Sequence, residues 1–576
     1  MTLKEIADTL EHLATLLEIN GENEFRIKAY KNAARAIDTS SVSQEEFISK
    51  IQEGTFKGIG PQIGVLVLEI ANTGTCSLLD EVSASLPPGL PQILELPGLG
   101  AKKVKSLYEN LGIESLEQLE VACKEGRVSE LSGFGKKTEE KILSSIAQRA
   151  VYQSKFLHHK AEADATRLIE YFNTHAIVPV LAGSLRRGNE TVKDIDLLIT
   201  SEDPSTVMQL FYTYDGIKEI TSKGEKKSSA ILQSGISVDV RVVAPEQEAT
   251  AILHFTGSAN HNEQLRARAK RLGMTLNEYS LTNHDESIVE THSEADVYHA
   301  LGLSYIEPER REGISEIELA ETCFKNATPL PTLVTSADIK GVLHAHSTYS
   351  DGIHTLREMA LAAKNMGYEY LGISDHSKSA FYANGLKEDA IKRQHEEIDA
   401  LNQELAPFVI FKGIESDILA DGSLDYSDKV LESFDFVIAS VHSILTLSEQ
   451  AMTERVIKAI EHPATTILGH ISGRLLLRRE AFKINIPKVM ESCAEHKVAI
   501  ELNANPKRLE LDWRYHQRAV ELGISIPICP DAHSIEGIKD INRGVKIARK
   551  GGLESKHIAT CLGLEGMKNF LKKKKT

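Results

Sequence analysis

Three aspartates in the middle of the chain have the types and spacing of a metal-binding carboxylate site. Asp194 and Asp196 begin the apolar run 194–200, and side chains two residues apart on a strand point to the same face. Asp239 lies in a second strand-like run, 236–243. Neighbouring carboxylates repel one another and need cations, so these aspartates predict a paired divalent-metal site for phosphoryl chemistry.

A turn with phosphate-binding potential precedes these aspartates. It follows the apolar run 177–182, which we expect to be a buried strand, and it contains Gly183, Ser184 and Arg187. Its hydroxyl, backbone N–H groups and guanidinium are suited to phosphate oxygens. A lone Asp-x-Asp or Gly-Ser turn is commonly non-catalytic, but the combination with Asp239 favours an active site.

The C-terminal third predicts a second metal centre. Seven apolar runs alternate with helical stretches, which predicts a parallel sheet buried on both faces and closed into a barrel. Most runs end in a side chain that binds metals, and these ends meet at one rim. A single histidine at a strand end is usually just a hydrogen-bond partner, but so many in phase indicate ligands. The candidates are His344, His346, Asp351, His376, Glu415, His442, His470, Asp531 and His533.

This mixture of imidazole and carboxylate ligands suits Mn²⁺, Zn²⁺ or Fe²⁺ better than Mg²⁺ alone. The set is large enough for about three ions, since each ion needs several protein ligands and open positions for water and phosphate.

Three Gly-apolar-Gly turns separate helical stretches within residues 1–150. Glycines permit close approach of a phosphate, and the N–H groups of the following helix bind it. One such turn often only connects two helices, but three in succession favour sequence-independent binding of duplex DNA. The candidate DNA contacts are Gly58, Gly60, Gly98, Gly100, Lys102, Lys103, Gly133, Gly135, Lys136 and Lys137.

Bulk properties narrow the possibilities further. A length of 576 residues predicts several domains, and a net charge of −16 argues against indiscriminate nucleic-acid binding through overall positive charge. The six cysteines show no Cys-x-x-Cys pair, which fits a reduced cytoplasm. No signal peptide or membrane-length apolar run is apparent, so we expect a cytoplasmic monomer with no membrane partner.

The aspartates, the turn and the segment 254–266 together resemble the family X DNA polymerases of the nucleotidyltransferase superfamily. The resemblance implies that Phe255 and Gly257 lie beside the incoming sugar, that Asn262 contacts the nucleotide in the minor groove and that Arg266 contacts the template side. It also implies Mg²⁺ or Mn²⁺ at the three aspartates, dNTPs as substrates and gapped or nicked DNA as the partner.

Some positions depart from that family. His254 replaces an aromatic residue common in relatives, and Ala259 replaces a carboxylate of the vertebrate repair enzymes. Gln62 and Leu66 stand where some members carry a lysine nucleophile, so we do not predict deoxyribose-phosphate lyase activity.

The motifs His344-x-His346, Ser-Asp351-Gly and Asp531-Ala-His533 resemble the polymerase and histidinol phosphatase (PHP) domain family, which bacterial family X polymerases often carry at their C-terminus. The resemblance implies a 3′→5′ exonuclease that works best with Mn²⁺. A 3′-phosphatase, an abasic-site endonuclease and a small-molecule phosphatase remain alternatives for this domain.

The expected fold is therefore multidomain: an all-α helix-hairpin-helix N-terminal region, an α+β nucleotidyltransferase palm and thumb, and a C-terminal α/β distorted (β/α)7 barrel. We expect a helical DNA-binding domain at 1–85, helix-hairpin-helix fingers at 86–150, the palm at 151–245, the thumb at 246–318, a linker at 319–337 and the PHP phosphoesterase domain at 338–576.

The expected function is short-gap filling by a DNA-directed DNA polymerase in repair, with an attached exonuclease. The rivals are a template-independent nucleotidyltransferase, a metabolic phosphatase tethered by its front half and a non-catalytic DNA-binding scaffold.

Overall fold

The computed structural model describes residues 3–38, 44–56, 58–94, 96 and 98–572. They fall into two compact units, 1–154 and 155–576. Within the described ranges no single helix is long and apolar enough to cross a membrane, and one sharply bent helix pair, Pro61–Thr73 with Ser77–Ser85, has that length and composition only when joined.

The first unit is helical throughout its described residues. Its apolar stripes, such as Ile6, Leu10, Leu13 and Leu17 on the first helix, meet in one buried core. The helices are α1 (Leu3–Ile19), α2 (Glu24–Asp38), α3 (Gln44–Gln52), α4 (Pro61–Thr73), α5 (Ser77–Ser85), α6 (Leu90–Leu94), α7 (Ala101–Leu111), α8 (Leu116–Lys124) and α9 (Lys136–Gln153).

The second unit begins with a mixed sheet in the order β2-β4-β7-β6-β5, in which only β4 and β7 run parallel. Its elements are β1 (Phe156–Leu157), α10 (His158–Asn173), β2 (Val180–Leu181), α11 (Gly183–Arg186), β3 (Thr191–Val192), β4 (Asp194–Thr200), α12 (Pro204–Tyr212), β5 (Ile217–Ser222), β6 (Lys227–Leu232) and β7 (Ser237–Val243).

The strand expected over 177–182 is shorter and less buried than predicted. Only Val180 and Leu181 are paired, both are half-buried, and Val178 is exposed. Pro179 has no N–H to donate to a neighbouring strand, so pairing starts after it.

A smaller region follows, with its own apolar core around Leu253, Leu265, Val297 and Leu301. Helix α16 crosses residue 318 and enters the segment expected to be a linker. The elements are α13 (Glu248–Thr256), α14 (Ala259–Arg271), β8 (Met274–Leu276), β9 (Leu281–Asn283), α15 (Glu294–Ala300) and α16 (Glu316–Lys325).

The last region contains a curled parallel sheet, as the sequence predicted. Strands β10 to β15 are neighbours in chain order, β16 pairs with β17, and a single parallel bridge joins Ala532 to Ala345. The strands are β10 (Gly341–Ala345), β11 (Tyr370–Ile373), β12 (Val409–Asp417), β13 (Phe436–Ser440), β14 (Ile467–Leu468), β15 (Ala499–Ile500), β16 (Leu502–Asn503) and β17 (Ile528–Cys529).

Helices cover the outside of this sheet and bury its outward-facing side chains. They are α17 (Leu356–Asn365), α18 (Glu388–Glu404), α19 (Asp428–Leu431), α20 (Glu449–Glu461), α21 (Ile486–Glu495), α22 (His516–Glu521), α23 (Ile535–Ile538) and α24 (Ile541–Lys550). The last helix, α25 (Leu564–Lys572), packs instead against Leu343, Tyr370 and Phe436 in a second core cluster.

Helix α24 also contacts the front half of the second unit. Arg549 pairs with Glu309 at 2.7 Å, and Lys546 pairs with Glu162. The ammonium of buried Lys550 donates to the carbonyl of Arg187 at 3.2 Å. The C-terminal sheet and the mixed sheet are therefore joined by side-chain contacts as well as by the chain.

Candidate active sites

The three aspartates converge at one end of the parallel strand pair of the mixed sheet. Asp196 and Asp239 are direct partners in the register of β4 and β7, and Asp194 pairs with Ser237 one alternation earlier. Since alternate residues share a face, the three carboxylates face the same side of the sheet. The geometry therefore provides an oxygen-rich site on adjacent strands.

Electrostatics favours a cation here. Burial and the neighbouring Asp194 and Asp239 carboxylates raise the pKa of Asp196 to about 6. Burial and Asp239 also raise the pKa of Asp194. Because the ionised carboxylates destabilise one another, a divalent ion between them relieves that repulsion, and the oxygen donors suit Mg²⁺ or Mn²⁺.

Asp239 has a hydrogen-bond partner and an ion-pair partner that were not predicted from the sequence. Ser229 donates a hydrogen bond of 2.6 Å to one of its oxygens, and Lys227 lies 2.7 Å from the other. Both partners lie on β6, the antiparallel neighbour of β7. The Lys227 ammonium thus supplies positive charge beside the carboxylates, and a metal ion must compete with it for Asp239.

The turn after β2 packs directly against these carboxylates. Gly183 has a φ of +64°, and a Cβ there would lie 2.1 Å from an oxygen of Asp196, so only glycine fits. Ser184 is half-buried, and its hydroxyl has no hydrogen-bond partner in the described part of the chain. The hydroxyl is thus available to a ligand beside Asp196.

Arg187 is held rather than free. Its guanidinium donates to the carbonyl of Thr256 at 2.5 Å and to Glu312 at 3.3 Å. Glu312 in turn pairs with Lys550. Arg187 therefore connects the turn to the helical region after the mixed sheet, and any phosphate contact requires it to share these partners.

The residues that the resemblance linked to the nucleotide lie along the start of that region. The Phe255 ring contacts the Arg241 guanidinium, 4.4 Å from the ring centroid. Gly257 lies against Arg187. Asn262 donates to the carbonyl of His254 at 2.7 Å. Asn262 and Arg266 line one small pocket together with His254 and Asn277.

The three glycine turns of the first unit share one conformation. Gly58, Gly98 and Gly133 have φ values of +94°, +86° and +84°, which favour glycine. Gly60, Gly100 and Gly135 immediately precede α4, α7 and α9. Each turn therefore presents the N–H groups of a helix start.

The lysines beside these turns differ in their surroundings. Lys102, Lys136 and Lys137 are exposed. Lys103 donates to the carbonyl of Gly98 at 3.2 Å and lies 5.5 Å from the Phe134 ring centroid, so it links the second and third turns.

The strand ends of the C-terminal sheet form one cluster of potential ligands. Three groups have donor atoms within 4.8 Å of one another: His346, Asp351, His376 and His533; His344, His346 and Asp531; and His376, Glu415 and His442. His346 and His376 each belong to two groups, so the cluster is continuous. His470 joins it through a 3.0 Å approach to Glu415.

The donor atoms fit metal ions. His344 Nε2 and His346 Nδ1 are buried without a hydrogen-bond partner. His344 Nε2 lies 3.5 Å from both Glu415 and Asp531, and His442 Nε2 lies 3.2 Å from His470 Nε2. Buried nitrogens that face carboxylate oxygens and other ring nitrogens at these distances are the arrangement that bound cations complete.

Charges of both signs are already combined in this cluster. Burial favours neutral carboxyl groups, yet the surrounding histidines hold the pKa of Glu415 well below its usual range. Burial opposes protonation of His442, but Glu415 and Asp417 raise its pKa to about 10. Burial, with the neighbouring His533 and His376, lowers the pKa of His346 to about 3.

Two carboxylates that support ligands were missed as site residues. Glu501 bonds Nδ1 of His344, which directs Nε2 of that ring into the cluster, and it accepts the N–H of His470 at 2.7 Å. Asp417 lies 2.5 Å from Nδ1 of His442. The sequence does indicate both positions, because Glu501 ends an apolar run and Asp417 is two residues after Glu415 on β12.

Comparisons with known families match the regions just described. A helix-hairpin-helix domain model matches residues 1–76, and a SAM-like helix-hairpin-helix tandem model matches 91–148. The DNA polymerase beta thumb model matches residues 251–312, and the PHP domain model matches 343–505.

Individual relatives cover the whole chain or one part of it. The chain is 38% identical over 578 residues to the DNA polymerase/3′-5′ exonuclease PolX of Bacillus subtilis, covering 100% of both proteins. It is 27% identical to DNA polymerase lambda of Rattus norvegicus over 53% of this chain and 56% of that protein. It is 26% identical to a protein named a probable phosphatase in Thermoanaerobacter sp., over 41% of this chain and 97% of that protein.

Proposed function

Because the chain belongs to the family of the DNA polymerase/3′-5′ exonuclease PolX, a family X DNA polymerase with a PHP domain, we propose that it fills short gaps in DNA and trims 3′ ends during repair. The resemblance to family X and to PHP domains that the motifs indicated is confirmed. The observation that carries the proposal is the juxtaposition of Asp196 and Asp239 beside the glycine turn, together with a separate histidine-rich cluster in the same chain.

Asp194, Asp196 and Asp239 hold Mg²⁺ or Mn²⁺ in this proposal. Held by these carboxylates, such ions would activate the primer 3′-hydroxyl and neutralise the charge that develops on the phosphates. Ser229 fixes one oxygen of Asp239. The other oxygen, now paired with Lys227, must be released from that ammonium before it can bind the ion or accept the proton of the attacking hydroxyl. The hydroxyl attacks the α-phosphate in line and pyrophosphate leaves.

The surrounding residues position the nucleotide and the DNA. Ser184 and the N–H groups of the turn that contains Gly183 bind the β- and γ-phosphates, assisted by Arg187. Phe255 and Gly257 face the sugar, Asn262 contacts the minor groove and Arg266 contacts the template side. The three glycine turns and their lysines bind the phosphates of gapped or nicked DNA.

The histidine-rich cluster holds about three Mn²⁺, Zn²⁺ or Fe²⁺ ions. Its nine predicted ligands are His344, His346, Asp351, His376, Glu415, His442, His470, Asp531 and His533. Glu501 and Asp417 orient two of the histidines. Bound there, such ions would activate a water molecule and bind the phosphate oxygens of the substrate.

We propose the domain organisation that the sequence predicts. The domains are a helical region at 1–85, fingers at 86–150, a palm at 151–245, a thumb at 246–318, a linker at 319–337 that begins inside α16, and a PHP domain at 338–576. The protein is a cytoplasmic monomer. The PHP domain is a distorted (β/α)7 barrel. The bridge between Ala345 and Ala532, which links the last strand run to the first, supports closure.

A test uses a 5′-labelled primer bordering a short gap. With dNTPs and Mg²⁺ the protein extends the primer to fill the gap, and with Mn²⁺ and no dNTPs it shortens a recessed 3′ end. A duplex with an abasic site and a 3′-phosphate end test the alternatives for the PHP domain. A protein that extends primers but hydrolyses only a small phosphate ester would contradict the exonuclease assignment. One that leaves every primer unextended would contradict the polymerase assignment.

A further inference from the structure

A basic groove of about 320 Å³ lies between the start of the palm and two loops of the PHP domain. Its volume reaches the lower end of the range for small-ligand sites, roughly 300 Å³. The walls carry four cations above an apolar floor. The residues that matter are Lys155, Lys160, Arg478 and Lys507 for charge, and Phe156 and Leu476 for the floor.

The four cations of the groove are accessible to solvent. Lys160, Arg478 and Lys507 are exposed and Lys155 is half-buried. None of the four is in an ion pair with any residue within the described ranges. Four unpaired cations in a chain of net charge −16 form a local positive surface that attracts a polyanion.

Lys507 and Arg478 of the groove are each followed in the chain by an arginine, and these two arginines lie close to one another beside the PHP cluster. Lys507 lines the groove, while its neighbour Arg508 lies 3.6 Å from the ligand Asp531, and the Nη1 of Arg508 lies 3.6 Å from Glu510. Arg478 lines the groove, and its neighbour Arg479 lies close to Arg508. Burial, and then the charge of Arg508, lower the pKa of Arg479.

The groove also borders the palm. Phe156 belongs to β1, which pairs with β3 (Thr191–Val192), and β3 runs directly into β4 and its aspartates. On the other wall, the N–H of Leu476 donates to the carbonyl of Lys507 at 2.7 Å and joins the two PHP loops. Residues of the palm and of two PHP loops therefore form the groove together.

The geometry points to this groove as a binding site for a single strand of DNA, whose 3′ end it delivers to the PHP cluster. The inference rests on the proposed exonuclease function and adds the strand and its route. Cations along the walls contact phosphates, while the apolar floor contacts bases. Duplex DNA keeps its bases stacked inside, so it would use only the cations and not Phe156 or Leu476.

The kinetic test compares long and minimal substrates in Mn²⁺. Replacing Lys155, Lys160, Arg478 and Lys507 with serine should raise KM for a long oligothymidylate about 10- to 100-fold and reduce the salt slope by up to about 3. Hydrolysis of thymidine 5′-p-nitrophenyl phosphate, which does not reach the groove, should stay unchanged. A matched control replaces four other exposed lysines of the PHP domain with serine, Lys392, Lys429, Lys488 and Lys497, and should leave both activities unchanged.

A second test does not depend on hydrolysis. An oligothymidylate containing 4-thiothymidine, irradiated with the full chain in the absence of metal, should cross-link to Phe156 or to residues 475–477. A duplex competitor should displace it poorly. Cross-links in the groove without trimming by the wild-type protein would uphold the groove and refute the exonuclease. Trimming with an unchanged KM in the groove variant, cross-links only elsewhere, or equal displacement by duplex would overturn the groove.

Discussion

The palm and the PHP domain place metal-binding side chains at the ends of parallel strands, but they manage charge in opposite ways. In the palm, burial and mutual repulsion raise the pKa values of Asp194 and Asp196, and the carboxylates have only nearby cations such as Lys227 for relief. In the PHP cluster, histidines interleave with Glu415 and Asp531 and hold the pKa values of both carboxyl groups well below their usual range, although burial favours their neutral forms.

This difference indicates different metal residence. We expect ions of the palm to arrive with the nucleotide, because the phosphates supply further oxygens. The PHP cluster is buried and offers enough nitrogen and oxygen donors that we expect it to keep its ions between reactions. One chain would then combine an exchangeable site with a resident one.

The largest expected effect separates the two sites completely. Asp239→Ala should reduce nucleotide addition at least 1,000-fold, because it removes a ligand of the palm ions, and should leave hydrolysis of a 3′ end unchanged. His344→Ala should do the reverse. Primer extension and strand shortening are measured on each variant, with Asp215→Ala, an exposed aspartate, as the control. Loss of both activities in either variant would contradict separate sites.

A smaller effect tests whether the PHP ions are resident. Glu501→Gln removes the carboxylate that orients His344, so metal affinity should fall about 10- to 100-fold. Wild-type protein should keep its PHP metals through gel filtration, whereas the variant should lose part of them, as elemental analysis measures. Glu521→Gln, at an exposed position on α22, is the control. Equal metal content in both variants would show that Glu501 does not support metal binding through His344.

The Mg²⁺ requirement of the palm should depend on pH. With a pKa of about 6, Asp196 is protonated below that pH in the metal-free palm, and an ion must displace the proton to bind. The Mg²⁺ concentration for half-maximal primer extension should therefore be about tenfold higher at pH 5 than at pH 7.5, since one proton is displaced per ion. It should be constant above pH 7, where the carboxyl is already ionised. An equal Mg²⁺ requirement at pH 5 and pH 7.5 would refute the raised pKa.

The smallest expected effect concerns the contact between the PHP domain and the phosphate-binding turn of the palm. Lys550→Met removes the ammonium that bonds the Arg187 carbonyl and Glu312, so the phosphate-binding turn loses a support. We expect the KM for dNTPs to rise about fivefold, or ~1 kcal/mol, with strand shortening unaffected. Lys556→Met, an exposed lysine on the same domain, serves as the control. An unchanged KM would mean that the contact is only structural.

Sequence reasoning identified the features that periodicity determines. The alternation of a strand places Asp194 and Asp196 on one face, and the ends of apolar runs identified His344, Glu415 and Asp531 as metal-capable positions. The parallel sheet of the PHP domain was predicted because strands alternate with helices along the chain.

The rest depends on contacts between elements that no local pattern encodes. Lys227 acts on Asp239 through the register of two antiparallel strands, and Lys550 acts on Arg187 across a long stretch of sequence. The short length of β2 was also not predicted, because Pro179 limits pairing within an apolar run that otherwise looks continuous.

Helix α24 limits how the chain can be divided into separate fragments. One face of the helix is part of the PHP core, through Ile541, Val545 and Ala548, and the other face carries the lysine that neutralises Glu312. A polymerase fragment ending before the PHP domain would therefore retain Glu312 without its Lys550 cation and the Arg187 carbonyl without its donor. Separating the two halves would therefore leave Glu312 and Lys550 without each other's charge, and replacing either half requires a matching surface on its substitute.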